Sequence, residues 1–280
     1  MTDPFDALRT PPVPVAPDPG FARALRARIE RALLADDVVR DPSGPIPGQI
    51  TYAAVLTRDV ARAARFYGRV LGWTTTPSPD RDGRPTRQVR GLTLPLGLRV
   101  TDREPTLAPY YAVPDVDAAV ALLRAAGGTA AGPADRSYGR TADCVDDQGL
   151  PFTLVARTGA APGQPAGPGE LDYVLLRVPD TTRARAFYGT VLGWRFRPGA
   201  GPGYWHPEPP GGPTTPGFGL EGGNPDAVAV PWFRVPDLDT ALAAVRGSGG
   251  RPVGPVGHQR GGPRIECADD QGARFGLAQL

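Results

Sequence analysis

Residues 50–73 of the chain, ITYAAVLTRDVARAARFYGRVLGW, return at 171–194 as LDYVLLRVPDTTRARAFYGTVLGW. Tyr52 matches Tyr173, Asp59 matches Asp180, and the Phe66-Tyr67 pair matches Phe187-Tyr188. The downstream halves repeat as well: YYAVPDVDAAVALLRAAGG (110–128) with WFRVPDLDTALAAVRGSGG (232–250), and CVDDQGLPFTL (144–154) with CADDQGARFGL (267–277). A repeat of this length and order is duplication, and it requires two copies of one fold. Each copy is itself twofold: a short apolar strand, then Asp, then a helix, then Gly, at Asp59 to Gly72 and again at Asp115 to Gly127. Asp suits the N-cap and Gly the left-handed C-cap. Val60, Ala64, Tyr67 and Leu71 form one apolar helical face suited to lying on a sheet. The chain therefore reads as four strand–helix–strands units, an α+β arrangement.

Around this repeat the expected divisions are an N-terminal extension at 1–49, a first domain at 50–156, a Pro/Gly/Ala linker at 157–169 and a second domain at 170–280. Phe21, Leu25 and Ile29 predict one amphipathic helix in the extension, packed on the body or on a partner rather than on a membrane surface. No stretch approaches the roughly 20 apolar residues of a membrane span. The N-terminus lacks a basic-then-apolar signal pattern, so the expected location is cytoplasmic. All 31 basic residues are arginine, which excludes lysine Schiff-base chemistry. A net charge of +2 with scattered arginines argues against a nucleic-acid partner. Cys144 and Cys267 occupy equivalent places and read as separate buried thiols.

The strand–Asp–helix run ending FYGRVLGW and FYGTVLGW, closed by DDQG before a last strand, resembles the glyoxalase/bleomycin-resistance (vicinal oxygen chelate) superfamily. The resemblance implies four βαβββ modules, paired into two glyoxalase-like domains whose curved mixed sheets surround cavities. It also implies where a metal would be held: His or Gln early in the first strand of a module, and Glu in its last strand. Counting back seven residues from each helix-capping Asp reaches Tyr52, Ala108, Tyr173 and Val230; the last-strand positions hold Thr153 and Gly276. These side chains cannot assemble a divalent-ion shell, so neither metal nor another cofactor is expected. In single-domain relatives two chains often pair to complete the sites. Here one chain supplies both halves, and a monomer or a homodimer is expected.

With the metal positions lost, the cavity faces are the place to look for chemistry. Strand alternation puts Tyr52 and Tyr110 on the first-domain face, and Tyr173, Arg177, Trp232 and Arg234 on the second. Two arginines with aromatic rings suit a flat, anionic or oxygen-rich ligand in the second-domain cavity. The competing expectation is that Arg177 and Arg234 are tied to carboxylates such as Glu266. The Gly/Pro-rich stretch 198–216 carries Trp205 and His206, and is either a lid or a solvent hairpin. His206, Tyr173 and Glu221 are the candidate proton-transfer groups. Two functions are open: a metal-independent small-molecule binder, or a metal-free cyclase, isomerase or lyase of specialised metabolism.

Overall fold

The computed structural model describes residues 47–79, 83–156, 166–210, 212, 215–259 and 261–280. The helix expected around Phe21 and most of the linker lie outside these residues. The first half runs β1 (Ile50–Thr57), α1 (Val60–Leu71), β2 (Thr75–Pro79), β3 (Pro85–Val89), β4 (Leu96–Val100), β5 (Thr106–Ala112), α2 (Val116–Ala125), β6 (Thr129–Ala130), β7 (Ala134–Arg136), β8 (Gly139–Val145) and β9 (Pro151–Val155). The second half repeats it as β10 (Leu171–Arg177), α3 (Thr181–Leu192), β11 (Arg195–Pro198), β12 (Tyr204–Glu208), β13 (Gly217–Glu221), β14 (Val228–Val235), α4 (Leu238–Gly247), β15 (Arg251–Gln259), β16 (Gly262–Ala268) and β17 (Arg274–Gln279). No helix among the described residues is long and apolar enough to cross a membrane.

Each half forms its own curved mixed sheet, ordered β2-β3-β4-β1-β5-β9-β8-β6 and β11-β12-β13-β10-β14-β17-β16-β15, with β7 paired to β8. The first strands of the two modules pair antiparallel at the centre, β1 with β5 and β10 with β14. Each helix starts at the expected aspartate, whose carboxylate accepts a backbone N–H of the first turn: Arg62 for Asp59, Ala118 for Asp115, Arg183 for Asp180 and Thr240 for Asp237. Gly72 and Gly193 end α1 and α3 in the left-handed region, at φ 73° and 68°.

The helices dock in pairs across the duplication, α1 on α4 and α2 on α3. One apolar core consequently draws on both halves, and its aromatic contacts come in matched pairs. Tyr67 and Phe233 flank Trp73 with ring centroids 5.2 Å away, while Tyr188 and Tyr111 flank Trp194 at 5.2 and 5.3 Å. The Trp73 indole donates to the Gly169 carbonyl of the other half, and Trp194 donates to that of Gly48. The tryptophans after the helices are thus core residues, as their position after the helix suggests, and each also carries a hydrogen bond to the opposite copy.

DDQG does more than turn the chain. Asp146 accepts the backbone N–H groups of Gln148 and Leu150 and the Tyr188 hydroxyl from the opposite copy, the last at 2.9 Å. Asp269 repeats this with Gln271, Ala273 and Tyr67. Gln148 holds both the N–H and the carbonyl of Asp180, and Gln271 those of Asp59. Arg183 and Arg62 then pair with Asp147 and Asp270. Every one of these contacts occurs twice, as in a twofold dimer joined into one chain.

Candidate functional site

The helix-free faces of the two sheets are built from equivalent strands but filled differently. In the first domain Tyr52 stands opposite Tyr110, Tyr110 opposite Thr153, and Thr153 opposite Asp143. In the second the same row runs Tyr173, Trp232, Gly276, Glu266. Ala108 and Val230, reached by counting, stand one pair further along the strands, opposite Ala54 and Leu175. A Cβ at Gly276 would collide with the Trp232 indole, so the ring occupies the space that a last-strand carboxylate would need. Among the described residues no group of three His, Cys, Asp or Glu side chains is placed to hold a metal ion. The donor set does not fit the divalent ion that the fold implies.

On the second-domain face the polar groups are tied to one another. Arg177 donates through Nε to Glu221 at 2.8 Å and through both terminal nitrogens to Glu266 at 2.8 and 2.7 Å. Arg274 also pairs with Glu266. Burial works against the Arg177 charge, but the two glutamates outweigh it and hold the guanidinium above its ordinary pKa. Arg234 donates to the carbonyls of Gln279 and Gly261 and lies 3.4 Å from Asp172. Arg264 lies over the Trp232 ring. The Tyr173 and Tyr204 hydroxyls are 2.7 Å apart, above Gly219, which has no side chain to obstruct them. Burial and then Tyr204 push the Tyr173 phenol well above its usual value.

The stretch 198–216 supplies the β12 side of a β-hairpin, and His206 lies on this strand with its ring 5.3 Å from that of Tyr204. Tyr204 is itself opposite Glu221 in register. Tyr173, His206 and Glu221 therefore gather on one face, linked by Tyr204. Trp205 does not join them. It alternates to the helix side, packs against the core and has the Arg185 guanidinium 3.7 Å from its ring centre.

The first-domain face carries a cavity. One cavity of about 370 Å³ is lined by Tyr52, Tyr110 and Tyr138, by Gln88, Arg87, Arg99 and Arg136, and by apolar Ala54, Leu98 and Val155. Tyr52 and Tyr110 meet edge to face at 4.7 Å, and the Tyr52 hydroxyl is held by the Gln88 amide. A Cβ at Gly97 would strike that hydroxyl, so glycine is what lets the ring lie along the strand. A second cavity of about 410 Å³ also has Arg99 in its lining, with Leu56, Ala108, Thr153, Arg84 and Arg103. Arg99 stands 3.6 Å from Asp143, which also accepts from Thr153. Tyr138, Gln88 and the arginines other than 177 and 234 escaped the sequence reading. They sit on outer strands and loops, where no alternation anchored to the metal positions points at them. Cys144 and Cys267 are buried and unbonded, and burial pushes both thiols up to about 12.

Family models match both halves: the glyoxalase-like domain at residues 50–155, and the glyoxalase/bleomycin resistance protein/dioxygenase superfamily at 170–277. The chain is also 30% identical over 265 residues to the anthracycline biosynthesis protein DauV of Streptomyces sp. (strain C5), covering 84% of this chain and 94% of that protein. The chain belongs to the glyoxalase/bleomycin resistance protein/dioxygenase superfamily. Within that superfamily its fold is similar to the 2,3-dioxygenase LapB from Pseudomonas sp. KL28, with a TM-score of 0.61 at 16% identity over 84% of this chain and 93% of that one. It is similar too to the Mn(II)-bound glyoxalase from Novosphingobium aromaticivorans, with a TM-score of 0.60 at 18% identity over 84% and 83%. At these identities the likeness carries the superfamily fold and not its chemistry.

Proposed function

We propose that this superfamily member is a metal-independent binder of a flat, oxygen-rich aromatic compound of specialised metabolism, and that the first-domain cavity is the site. The observation that carries this reading is the cavity on the first-domain face. The second domain, where sequence reasoning placed the ligand, has its arginines and aromatic rings paired with one another. The first presents tyrosine rings and an amide around a cavity within the usual size range of small-molecule sites. Tyrosine gives stacking area with a hydroxyl handle, which suits hydroxylated ring systems. The similarity to an anthracycline biosynthesis protein supports the same ligand class, since anthracyclines are planar and hydroxylated.

The test is calorimetric titration of chelator-dialysed protein with a dihydroxyanthraquinone. Binding should persist without metal and weaken about tenfold or more in Tyr110→Ala, the scale set by losing one aromatic contact, while Trp232→Ala leaves it unchanged. The reverse pattern would move the site to the second domain, and a requirement for added metal would overturn metal independence. A second reading, acid–base catalysis, is favoured by the Tyr173–Tyr204 hydroxyl pair beside Glu221 and His206. Recovery of a chemically altered compound, slowed more than about tenfold in Tyr173→Phe, would establish it; recovery of unchanged compound would remove it.

A further inference from the structure

We infer that Arg136, at the tip of the β7–β8 hairpin, is the specificity residue of the first-domain cavity and selects a ligand whose aromatic ring bears a carboxylate. The inference rests on the first-domain site proposed above. Residues opposite one another in register share a face of the sheet, and faces alternate along each strand. Tyr110 stands opposite Thr153 and Thr153 opposite Asp143. The same side of β8 then passes through Thr141 to Gly139, which stands opposite Arg136. Arg136 therefore lies on the Tyr110 side of the sheet. Arg140, which alternates to the other side, pairs there with Asp117 of α2. β7 lies off the main strand order, paired with β8, and Arg136, Ser137 and Tyr138 at this hairpin tip all line the cavity.

The charge balance of the lining singles this residue out. The described lining of the cavity includes three arginines, 87, 99 and 136, and no aspartate or glutamate. Two of the three are already held. Arg99 pairs with Asp143. Arg87 stands opposite the core residue Leu98, and its guanidinium donates to the hydroxyl and carbonyl of Thr75 on that helix side. The Arg136 side chain forms no ion pair or hydrogen bond among the described residues. Its neighbour Asp135 is turned to the opposite side, where it pairs with Arg140.

An arginine at the cavity rim, with its charge unanswered by the chain, suits a ligand that brings the counter-charge. Guanidinium geometry matches a carboxylate by two parallel hydrogen bonds. Arg136 is exposed, so in the free protein its charge is met by water. A ring system seated in the cavity displaces part of that water, and an ion pair gains strength as its surroundings dry. The assigned ligand is thus a planar aromatic acid whose rings enter the cavity and whose carboxylate stays at the rim, against the hairpin tip.

The experiment is calorimetric titration of the full chain with a dihydroxyanthraquinone carboxylate and with its carboxamide, which matches it in size and carries no charge. Wild type should bind the acid about three- to tenfold more tightly than the amide, between the worth of an exposed ion pair and that of a hydrogen bond to a charged group. Arg136→Gln should abolish this preference. Arg136→Lys should keep part of it, because the charge stays while the two-pronged geometry is lost. An exposed side chain with no described partner can be replaced without loss of the fold, so these variants report on binding. Arg103→Gln removes the same charge from the lining of the other cavity and should leave the preference as in wild type. Equal binding of acid and amide by wild type, a preference that survives in Arg136→Gln, or equal losses in Arg136→Gln and Arg103→Gln overturns the role of Arg136 and leaves the cavity reading intact. Failure of wild type to bind either compound overturns both.

Discussion

Two tyrosines at the same end of the shared core show how much a single hydroxyl depends on what faces it. Tyr188 and Tyr111 are both fully buried, with ring centroids 6.4 Å apart. The Tyr188 hydroxyl donates to Asp146, whereas the Tyr111 hydroxyl has no hydrogen-bond partner among the described residues. Removing a donor from a buried carboxylate costs about 1–3 kcal/mol, while removing an unsatisfied hydroxyl relieves a desolvation cost. Tyr188→Phe is therefore expected to lower stability by about 1–3 kcal/mol in urea unfolding, and Tyr111→Phe to leave it unchanged or raise it. Equal losses in the two variants would show that ring packing, not the hydroxyl, decides. Neither role is legible in sequence, because tyrosine at a core spacing reads the same with or without a partner.

At the scale of the element, the DDQG turn and the helix of the opposite copy form one clamp. Burial raises the Asp146 and Asp269 carboxyls above their ordinary pKa, and the backbone N–H groups and the tyrosine hydroxyls only partly offset this. The folded state thus binds these protons more tightly than the unfolded chain. The stability contributed by the two groups is greatest below the ordinary aspartate pKa and is lost as pH rises through the raised folded value. Comparison of wild type with D146N/D269N across about pH 4 to 7, the range from ordinary to raised carboxyl titration, should show wild type losing stability relative to the variant as pH climbs. A constant difference across that range would mean that the carboxyls titrate normally in the fold. The turn was legible from Asp-Asp-Gln-Gly alone. Its partner was not, because the helix it caps lies more than 30 residues away along the chain for one turn and more than 200 for the other.

At the scale of the whole molecule, the described residues of both halves share a core, even though the sequence divides into two copies. Phe66, Tyr67, Phe187 and Tyr188 all lie in the one core shared by both sheets. Separating the halves would expose these aromatic faces to water, at roughly 25 cal/mol per Å² of apolar surface. Thermal or urea unfolding should accordingly give a single transition, coincident by fluorescence and by circular dichroism. The reactivity of Cys144 and Cys267 toward a thiol reagent should appear only in that same transition, since both thiols are buried and their pKa is pushed up to about 12. Two transitions, each releasing one thiol, would show that the copies unfold independently.

Sequence alone determined the duplication, the α+β modules, the four aspartate caps, the superfamily and the unsuitability of the metal positions. All of these are properties of spacing and residue type, which local backbone physics reads directly. Only the tertiary structure placed a cavity of about 370 Å³ on the first-domain face. Arg177 and Arg99 look equally available as residue types. Arg177 is held by Glu221 and Glu266, while Arg99 lines the first-domain cavity and pairs with Asp143, because the central strand carries arginine in one half and leucine in the other. A cavity is the space left after distant side chains have paired, and those pairings form only when the strands that carry them lie side by side.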